Sequence, residues 1–400
     1  MRIDTPLQHD TRLDVFRGLA LLTIYINHVP GTWLEPFTHK NFGFSDSAEA
    51  FVLISGIAVG LSYGRRFEPG SRFLQTLKAW RRAAVLYITH IVATVATLAI
   101  FAAGAIWYAE PKLLEQINIG PVIEKTPKAL VGIATLGHQL GYNNILPMYA
   151  VLMLMVPFWL WLSRYSLRAT VVASGLVWLA AGLFRVGPGE YPNENTWFLN
   201  PLSWQFLFVI GMAGTMHIRR GGEIGFSWVL AGLSAAYLLA SLLWVKLGWW
   251  GLELAPGLPM VLVEFNKTFL SLPRLLHVLA LTYLIVSIPA IANFARVKAS
   301  HPLAVLGRHS LPVFVLGTLL SMGAQVAIFV YERSLLLDTS LLAAGIAAQF
   351  ALAYWLSWLP EIGWSGKKPA ARTVPARDPA KSFIGPSMPS PATASVNRSR

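Results

Sequence analysis

Residues 13–30 read LDVFRGLALLTIYINHVP, a mostly apolar run of the length that a helix needs to cross a bilayer, about 20 residues. Hydrophobic residues make up 55 % of the 400-residue chain and charged residues only 13 %, whereas a typical soluble domain has about 25 % charged residues. A soluble fold has no core large enough for this much apolar surface. The sequence therefore predicts an all-α, polytopic integral membrane protein.

Nine further apolar runs follow the first, each close to the length of a membrane span. Together the ten runs cover 14–34, 46–63, 83–106, 144–162, 169–185, 202–218, 226–246, 272–293, 305–330 and 340–360. The first run is too long, and too charged at its start, to be a cleavable signal peptide. Residues 128–140 are apolar but short, which favours a re-entrant or interfacial segment. About ten transmembrane helices are therefore expected.

Basic residues are distributed asymmetrically in this arrangement. With the N-terminus inside, the inner side holds 23 of the 32 Lys and Arg residues, and the outer side holds 9 basic and 12 acidic residues. Cytoplasmic loops of membrane proteins are enriched in Lys and Arg, so both termini are expected in the cytoplasm. The net charge of +13 then follows from topology, and no nucleic-acid partner is expected.

The composition changes near the C-terminus. Residues 1–362 are expected to form one membrane domain, whereas 363–400 are rich in Pro, Ala, Ser and basic residues and contain almost nothing to bury. Such a segment is typical of a disordered tail, here a cytoplasmic one with a weak attraction to anionic lipid. In the second run, the small residues Gly56, Gly60 and Gly64 recur at every fourth position, a spacing typical of close helix packing.

Several reaction classes lack the residues they need. The chain contains no cysteine, which excludes disulfides, thiolate catalysis and zinc–thiolate sites. It also has no Walker loop, HExxH, GxSxG or strand-linked GxGxxG motif, so ATP-driven transport, zinc hydrolysis, elbow-serine chemistry and Rossmann dinucleotide binding have no support. No metal and no bound cofactor are expected. Acid–base chemistry at a membrane-embedded histidine remains.

Polar side chains inside the first run are the best guide to that chemistry, because burying them in lipid is expensive. Arg17 and His28 are 11 residues apart, which on an α-helix returns to within about 20° of the same face over about 16 Å. Arg17 would then lie near the cytoplasmic surface and His28 in the outer half of the membrane. A snorkelling arginine and an interfacial histidine would explain the same pattern without any chemistry.

The second run begins with two acidic residues, Asp46 and Glu49. In one interpretation, Asp46 is the N-cap and Glu49 completes a capping box at the positive end of the helix dipole. In the other, Glu49 lies about 6 Å deep and level with His28, about 7 Å from the outer end of its own helix. A His28–Glu49 or His28–Asp46 pair would raise the basicity of the imidazole, as a general base requires.

Three arginines are candidates for binding an anionic group from the cytoplasm. Arg81 and Arg82 precede the third run, and Arg308 lies at the inner end of the ninth. Guanidinium groups suit phosphates and carboxylates, although anchoring by the positive-inside rule explains the same positions.

Five blocks of the sequence carry a further signal. They are DTRLDVFRGLALLTIYINH (10–28), NFGFSDSAEAFVLISG (41–56), ILPMYAVLMLMVPFW (145–159), NPLSWQFLFVIGM (200–212) and HPLAVLGRHSLPVF (301–314). These blocks resemble those of the OpgC family, whose members are membrane O-succinyltransferases of osmoregulated periplasmic glucans. The family is allied to a wider group of integral-membrane acyltransferases. The resemblance extends from about residue 10 to residue 360 and implies a multi-pass protein of the bacterial inner membrane.

The resemblance also implies roles for individual residues. The wider group has an Arg-x10-His pair in its first span, in which the histidine is the base for the acceptor hydroxyl, and Arg17 and His28 match it. The group's basic stretch on the donor side is matched by Arg81 and Arg82. The proline that follows this stretch in the group is absent here, where residues 88–90 read ITH, so the helix bend expected at that point is in doubt.

Together these observations predict O-acyl transfer across the membrane. Succinyl-CoA would be the co-substrate on the cytoplasmic side, and a hydroxyl of a periplasmic glucan would lose its proton to His28, with Glu49 or Asp46 stabilising the imidazolium. The expected donor-binding residues are Arg17, Arg81, Arg82 and Arg308. The candidates for contact with the acceptor are Asn27, Trp204 and Gln205.

Two other functions stay open. An O-acetyltransferase of another envelope polysaccharide would share this machinery and differ in its acyl pocket. A proton-coupled carrier of glucans or anions would use His28 and Glu49 as a relay, but the sequence has no inverted repeat. A succinyl group also needs a cation for its terminal carboxylate, and the sequence leaves Arg82, Arg274 and Arg308 as candidates.

Overall fold

A computed structural model describes residues 11–252 and 255–360, without the side chain of residue 292. Within these ranges the fold is all-α and contains no β-strand, which confirms the predicted class. The whole tail predicted at 363–400, and the first ten residues, lie outside the described residues, so the division into a membrane domain and a tail stays a prediction.

Fifteen α-helices occur in the described part of the chain. They are α1 (Thr11–Asn27), α2 (Ser47–Tyr63), α3 (Arg72–Trp107), α4 (Gly120–Glu124), α5 (Thr126–Ala134), α6 (Ile145–Tyr165), α7 (Leu167–Leu183), α8 (Pro201–Arg219), α9 (Trp228–Leu247), α10 (Met260–Val263), α11 (Leu272–Ser287), α12 (Pro289–Phe294), α13 (Pro302–Arg308), α14 (Ser310–Val330) and α15 (Leu335–Trp358). Short 3₁₀ helices occur at Glu35–Phe37, His39–Asn41, Pro111–Asn118 and Trp249–Gly251.

Each of the ten predicted runs overlaps at least one helix. Five helices of the described chain, α3, α6, α9, α14 and α15, are long and apolar enough to cross a membrane. Helix α3 begins at Arg72, before the predicted run 83–106, and its 36 residues extend about 54 Å. These helices make the protein a multi-pass membrane protein. Between α3 and α6, the apolar residues near 130 form only the short helix α5.

Three runs end earlier than predicted or are divided in the structure, and a proline or a turn lies near each of these points. The first run ends as a helix at Asn27, before Pro30 and a glycine at φ +75°, Gly31. Pro289 separates α11 from α12, and His309 lies at the break between α13 and α14. A proline inside a helix removes a hydrogen bond and clashes with the preceding turn, so a continuous apolar run is divided there.

The glycines of α2 lie against α8, as their spacing predicts. A Cβ at Gly56 would overlap the carbonyl oxygen of Phe208, and one at Gly60 would come within 2.7 Å of the carbonyl oxygen of Met212. On the opposite helix, a Cβ at Gly211 would overlap the carbonyl oxygen of Leu53. The close approach of the two backbones holds the start of α2, and with it Asp46 and Glu49, in a defined position.

We expect Gly56→Ala to lower the free energy of unfolding by about 1–3 kcal/mol, because the added methyl group meets backbone and forces α2 and α8 apart. Thermal unfolding in detergent measures the change. The control is Gly214→Ala in α8, where a Cβ meets no atom within 4 Å and alanine improves helix propensity. Equal stability of the two variants would contradict this packing.

Candidate functional site

His28 lies at the end of α1, in the wall of a cavity of about 170 Å³. The cavity is formed by α1, the start of α2, the residues before α6 and the loops before α8 and α11. Its polar lining residues are Asn27, His28, Lys40, Asp46, Ser47, Tyr142, Asn144 and Lys267. Charged groups of both signs therefore surround one imidazole.

The imidazole of His28 is oriented by packing. Its ring stacks on Tyr142, with centroids 4.1 Å apart and an interplanar angle of 9°. The backbone carbonyl of His28 accepts a hydrogen bond of 2.9 Å from Nε2 of Gln325 on α14. The Nδ1 atom of His28 is buried and has no hydrogen-bond partner among the described residues. Stacking fixes the plane of the ring, and no carboxylate holds Nδ1.

Glu49 has a different partner from the one expected. Its side chain is completely buried, and its Oε1 accepts a hydrogen bond of 2.7 Å from Nε of Arg274 on α11. Its Oε2 accepts a hydrogen bond of 2.9 Å from the backbone N–H of Asp46. The expected pairing of Glu49 with His28 is therefore wrong, because a guanidinium compensates a buried carboxylate better than a neutral ring does.

Asp46 is the acidic residue that shares the cavity with His28. It is the N-cap of α2, where its Oδ1 accepts a hydrogen bond of 2.8 Å from the backbone N–H of Ala48, and the capping box with Glu49 is complete. Its Oδ2 forms ion pairs with Lys267 and, at 3.4 Å, with Arg274. The capping box and the cluster of charges thus occur together, and Asp46, at the start of α2 and three residues before Glu49, lines the cavity of His28.

A second cavity, of about 160 Å³, contains Arg17 and Arg82. The hydroxyl-bearing side chains Ser55, Tyr149 and Ser310 also line it. Both cavities share the lining residues Ile145 and Phe314, so they are neighbours. The 11-residue spacing from Arg17 to His28 thus connects two adjacent cavities, one beside the middle of α1 and one at its C-terminal end.

The other predicted donor-binding arginines do not line this cavity. Arg81 is exposed on α3, whose helical period turns it away from the face of Arg82. Arg308 is also exposed, and its guanidinium donates a hydrogen bond of 2.8 Å to the carbonyl oxygen of Ala299.

Of the predicted acceptor contacts, Asn27 lines the cavity of His28, and its Oδ1 accepts a hydrogen bond of 2.7 Å from Thr38. Trp204 and Gln205 are fully buried and outside the lining. Nε1 of Trp204 donates to the carbonyl oxygen of Lys267 at 3.0 Å, and Gln205 bonds to Ser174. Trp204 therefore holds the backbone of Lys267 from behind the cavity, whereas Gln205 connects α8 with α7.

Sequence reasoning missed Lys267, Tyr142 and Lys40, which all lie in segments that connect the α-helices. The scarcity of Lys and Arg on the predicted outer side, 9 of 32, was a signal for the two lysines, because an outer lysine is not explained by topology. No group of three or more His, Asp or Glu side chains suited to a metal occurs in the described residues.

Comparison with known proteins gives one positive finding. A family model described as OpgC protein matches residues 9–361, nearly the whole chain. No curated protein matches the chain.

Proposed function

Because the chain belongs to the OpgC family, which implies a glucan-modifying acyltransferase, we propose that it moves a succinyl group from cytoplasmic succinyl-CoA to hydroxyls of periplasmic glucans. The proposal includes ten transmembrane spans in the bacterial inner membrane, with both termini in the cytoplasm. Its partners are the lipid bilayer, the acyl-CoA inside and the glucan outside.

The pair of adjacent cavities is the observation that best supports this reaction. Arg17 and Arg82 line one cavity and His28 lines the other, with Ile145 and Phe314 between them. Positive-inside threading puts the arginines at the cytoplasmic end and the histidine at the periplasmic end. In the proposed arrangement, an anionic group of the donor contacts the arginines of the first cavity, and the acceptor hydroxyl contacts His28 in the second.

In the proposed reaction, a ring nitrogen of His28 takes the proton of the glucan hydroxyl as its oxygen attacks the thioester carbonyl. A C–O ester bond forms, the C–S bond breaks, and the proton passes from the imidazolium to the leaving CoA thiolate. Stacking on Tyr142 holds the ring in place. The nearby carboxylate of Asp46 stabilises the positive charge that His28 carries between the two proton transfers.

Mass spectrometry of periplasmic glucan tests the proposal. Cells with the protein should add succinyl groups, of about 100 Da each, that are absent from cells without the protein and from cells with His28→Ala. Acetyl groups instead would favour the acetyltransferase alternative. Unmodified glucan that depends on the protein for its location would favour a carrier.

Arg82 and Arg81 form a matched pair for testing the donor site. We expect Arg82→Ala to raise the KM for succinyl-CoA about 10- to 100-fold, because a hydrogen bond to a charged group contributes about 1.5–3 kcal/mol. Arg81→Ala removes the same charge from the exposed face of α3 and should change the donor KM less than about twofold, in line with the small effects of surface substitutions. Steady-state kinetics with purified protein measures both values, and equal KM values would contradict the assignment.

A further inference from the structure

The cavity of His28 is lined by two lysines, Lys40 and Lys267. Each ammonium group is paired with a carboxylate, Lys40 with Glu35 and Lys267 with Asp46. A lysine that lines the same cavity as the general base can form an ion pair with a negatively charged group of the substrate. To bind a ligand, such a lysine must leave its carboxylate, and that carboxylate then needs another partner for its negative charge.

The partner of Lys267 has other donors. Asp46 also receives the guanidinium of Arg274 at 3.4 Å and the backbone N–H of Ala48 at 2.8 Å. The partner of Lys40 has less support, since within the described residues the side chain of Glu35 otherwise accepts only the backbone N–H of Gly31. Leaving a buried charge unpaired is costly, so release of Lys267 costs less than release of Lys40.

The backbone and side chain of Lys267 are both held at the cavity. Its carbonyl oxygen accepts a hydrogen bond of 3.0 Å from Nε1 of the buried Trp204. Its ammonium group lies 5.8 Å from the ring centre of Phe198, which lines the same cavity. The side chain is 25 % exposed, so it is supported on one side and open to a ligand on the other.

None of the three arginines that the sequence left as candidates for binding a succinyl carboxylate lines the cavity of His28. Arg274 donates to Glu49 and Asp46 and does not line the cavity. Arg82 lines the other cavity, and Arg308 lines neither.

We infer that Lys267 is the specificity-determining residue that binds the terminal carboxylate of a dicarboxylic acyl group whose thioester carbonyl lies beside His28. This inference rests on the proposed function. Two methylene groups separate the carboxylate of a succinyl group from its thioester carbonyl, so both ends fit one cavity. On binding, Lys267 turns from Asp46 to the substrate, and Arg274 and Ala48 keep Asp46 compensated.

The test compares two donors of the same length in the purified full-length protein. Succinyl-CoA and butyryl-CoA both carry four-carbon acyl groups, and only the first ends in a carboxylate. Equilibrium binding measures the ratio of their Kd values for wild type, Lys267→Gln and Lys267→Arg. We expect Lys267→Gln to reduce the preference for succinyl-CoA about 10- to 100-fold, and Lys267→Arg to keep most of it.

Lys246→Gln is the matched control, because Lys246 lies 4.4 Å from the ring centre of Phe42 and does not line the cavity. It should leave the preference unchanged. An equal loss of affinity for both donors in Lys267→Gln, or no preference in the wild type, would overturn the inference.

The outcomes separate this inference from the proposed function. If wild type succinylates glucan and Lys267→Gln keeps the full preference for succinyl-CoA, only the role of Lys267 is wrong. If wild type neither binds an acyl-CoA nor transfers an acyl group, the proposed function is wrong and the inference is overturned with it.

Discussion

Replacing His28 with alanine is expected to lower kcat for acyl transfer by about 10²- to 10⁴-fold, the range that general-base catalysis contributes. The ring of His28 lines the cavity and stacks on Tyr142, and no other histidine in the described part of the chain lines it. The KM values should change little, because the proton transfer occurs in the transition state. Single-turnover kinetics with succinyl-CoA and purified glucan measures the rate.

The matched control is His90→Ala. His90 is completely buried on α3, its Nδ1 has no hydrogen-bond partner among the described residues, and it lines neither cavity. His90→Ala tests the effect of losing a buried imidazole away from both cavities, and the kcat of the folded variant should stay close to that of wild type. A well-folded His28→Ala protein with normal kcat would rule out the mechanism.

The second large effect is expected for stability. Arg274→Met should lower the free energy of unfolding by about 3–5 kcal/mol, because it leaves the fully buried carboxylate of Glu49 without its charged partner. The ion pair connects α11 with α2, whose first residues line the cavity of His28. Equilibrium unfolding in mixed micelles measures the change.

Two variants make this expectation specific. Arg308→Met removes an exposed guanidinium that donates to the carbonyl of Ala299 and should cost about 1 kcal/mol or less. The double variant Arg274→Met/Glu49→Gln removes both charges and should recover part of the stability lost in Arg274→Met. If Arg274→Met were no less stable than Arg308→Met, the ion pair would carry no stabilising role.

Helix positions were predictable because the bilayer imposes one length and one composition on every span. The runs at 83–106, 144–162 and 340–360 fall within or largely overlap α3, α6 and α15. The ends of the helices were less predictable where a proline interrupts an apolar run, as Pro289 interrupts the run 272–293. Hydropathy does not respond to the effect of a proline on the backbone. The glycine spacing of α2 predicted a packing surface, and only the structure identified α8 as its partner.

At the site, the sequence identified His28 and Arg17 because their 11-residue spacing puts both on the same face of one helix. That spacing is a local property of the chain and needs no tertiary contact. The sequence also offered both interpretations of Asp46 and Glu49, and the capping box is present. Which of Arg81 and Arg82 lines the cavity of Arg17 depends on how α3 is rotated about its own axis. That rotation depends on the helices packed against it, and the charges of two adjacent arginines do not encode it.

Amino-acid order by itself determined the all-α membrane class, the helix-forming runs, the cap of α2 and the alignment of Arg17 with His28, because each follows from hydropathy or from a period of a few residues. The tertiary structure alone decided that Glu49 pairs with Arg274, 225 positions away, that Tyr142 stacks on His28, and that Lys267 lines the cavity of the base. Such contacts depend on the depth and rotation of separate helices, which are set by packing between distant segments and leave no local pattern in the chain.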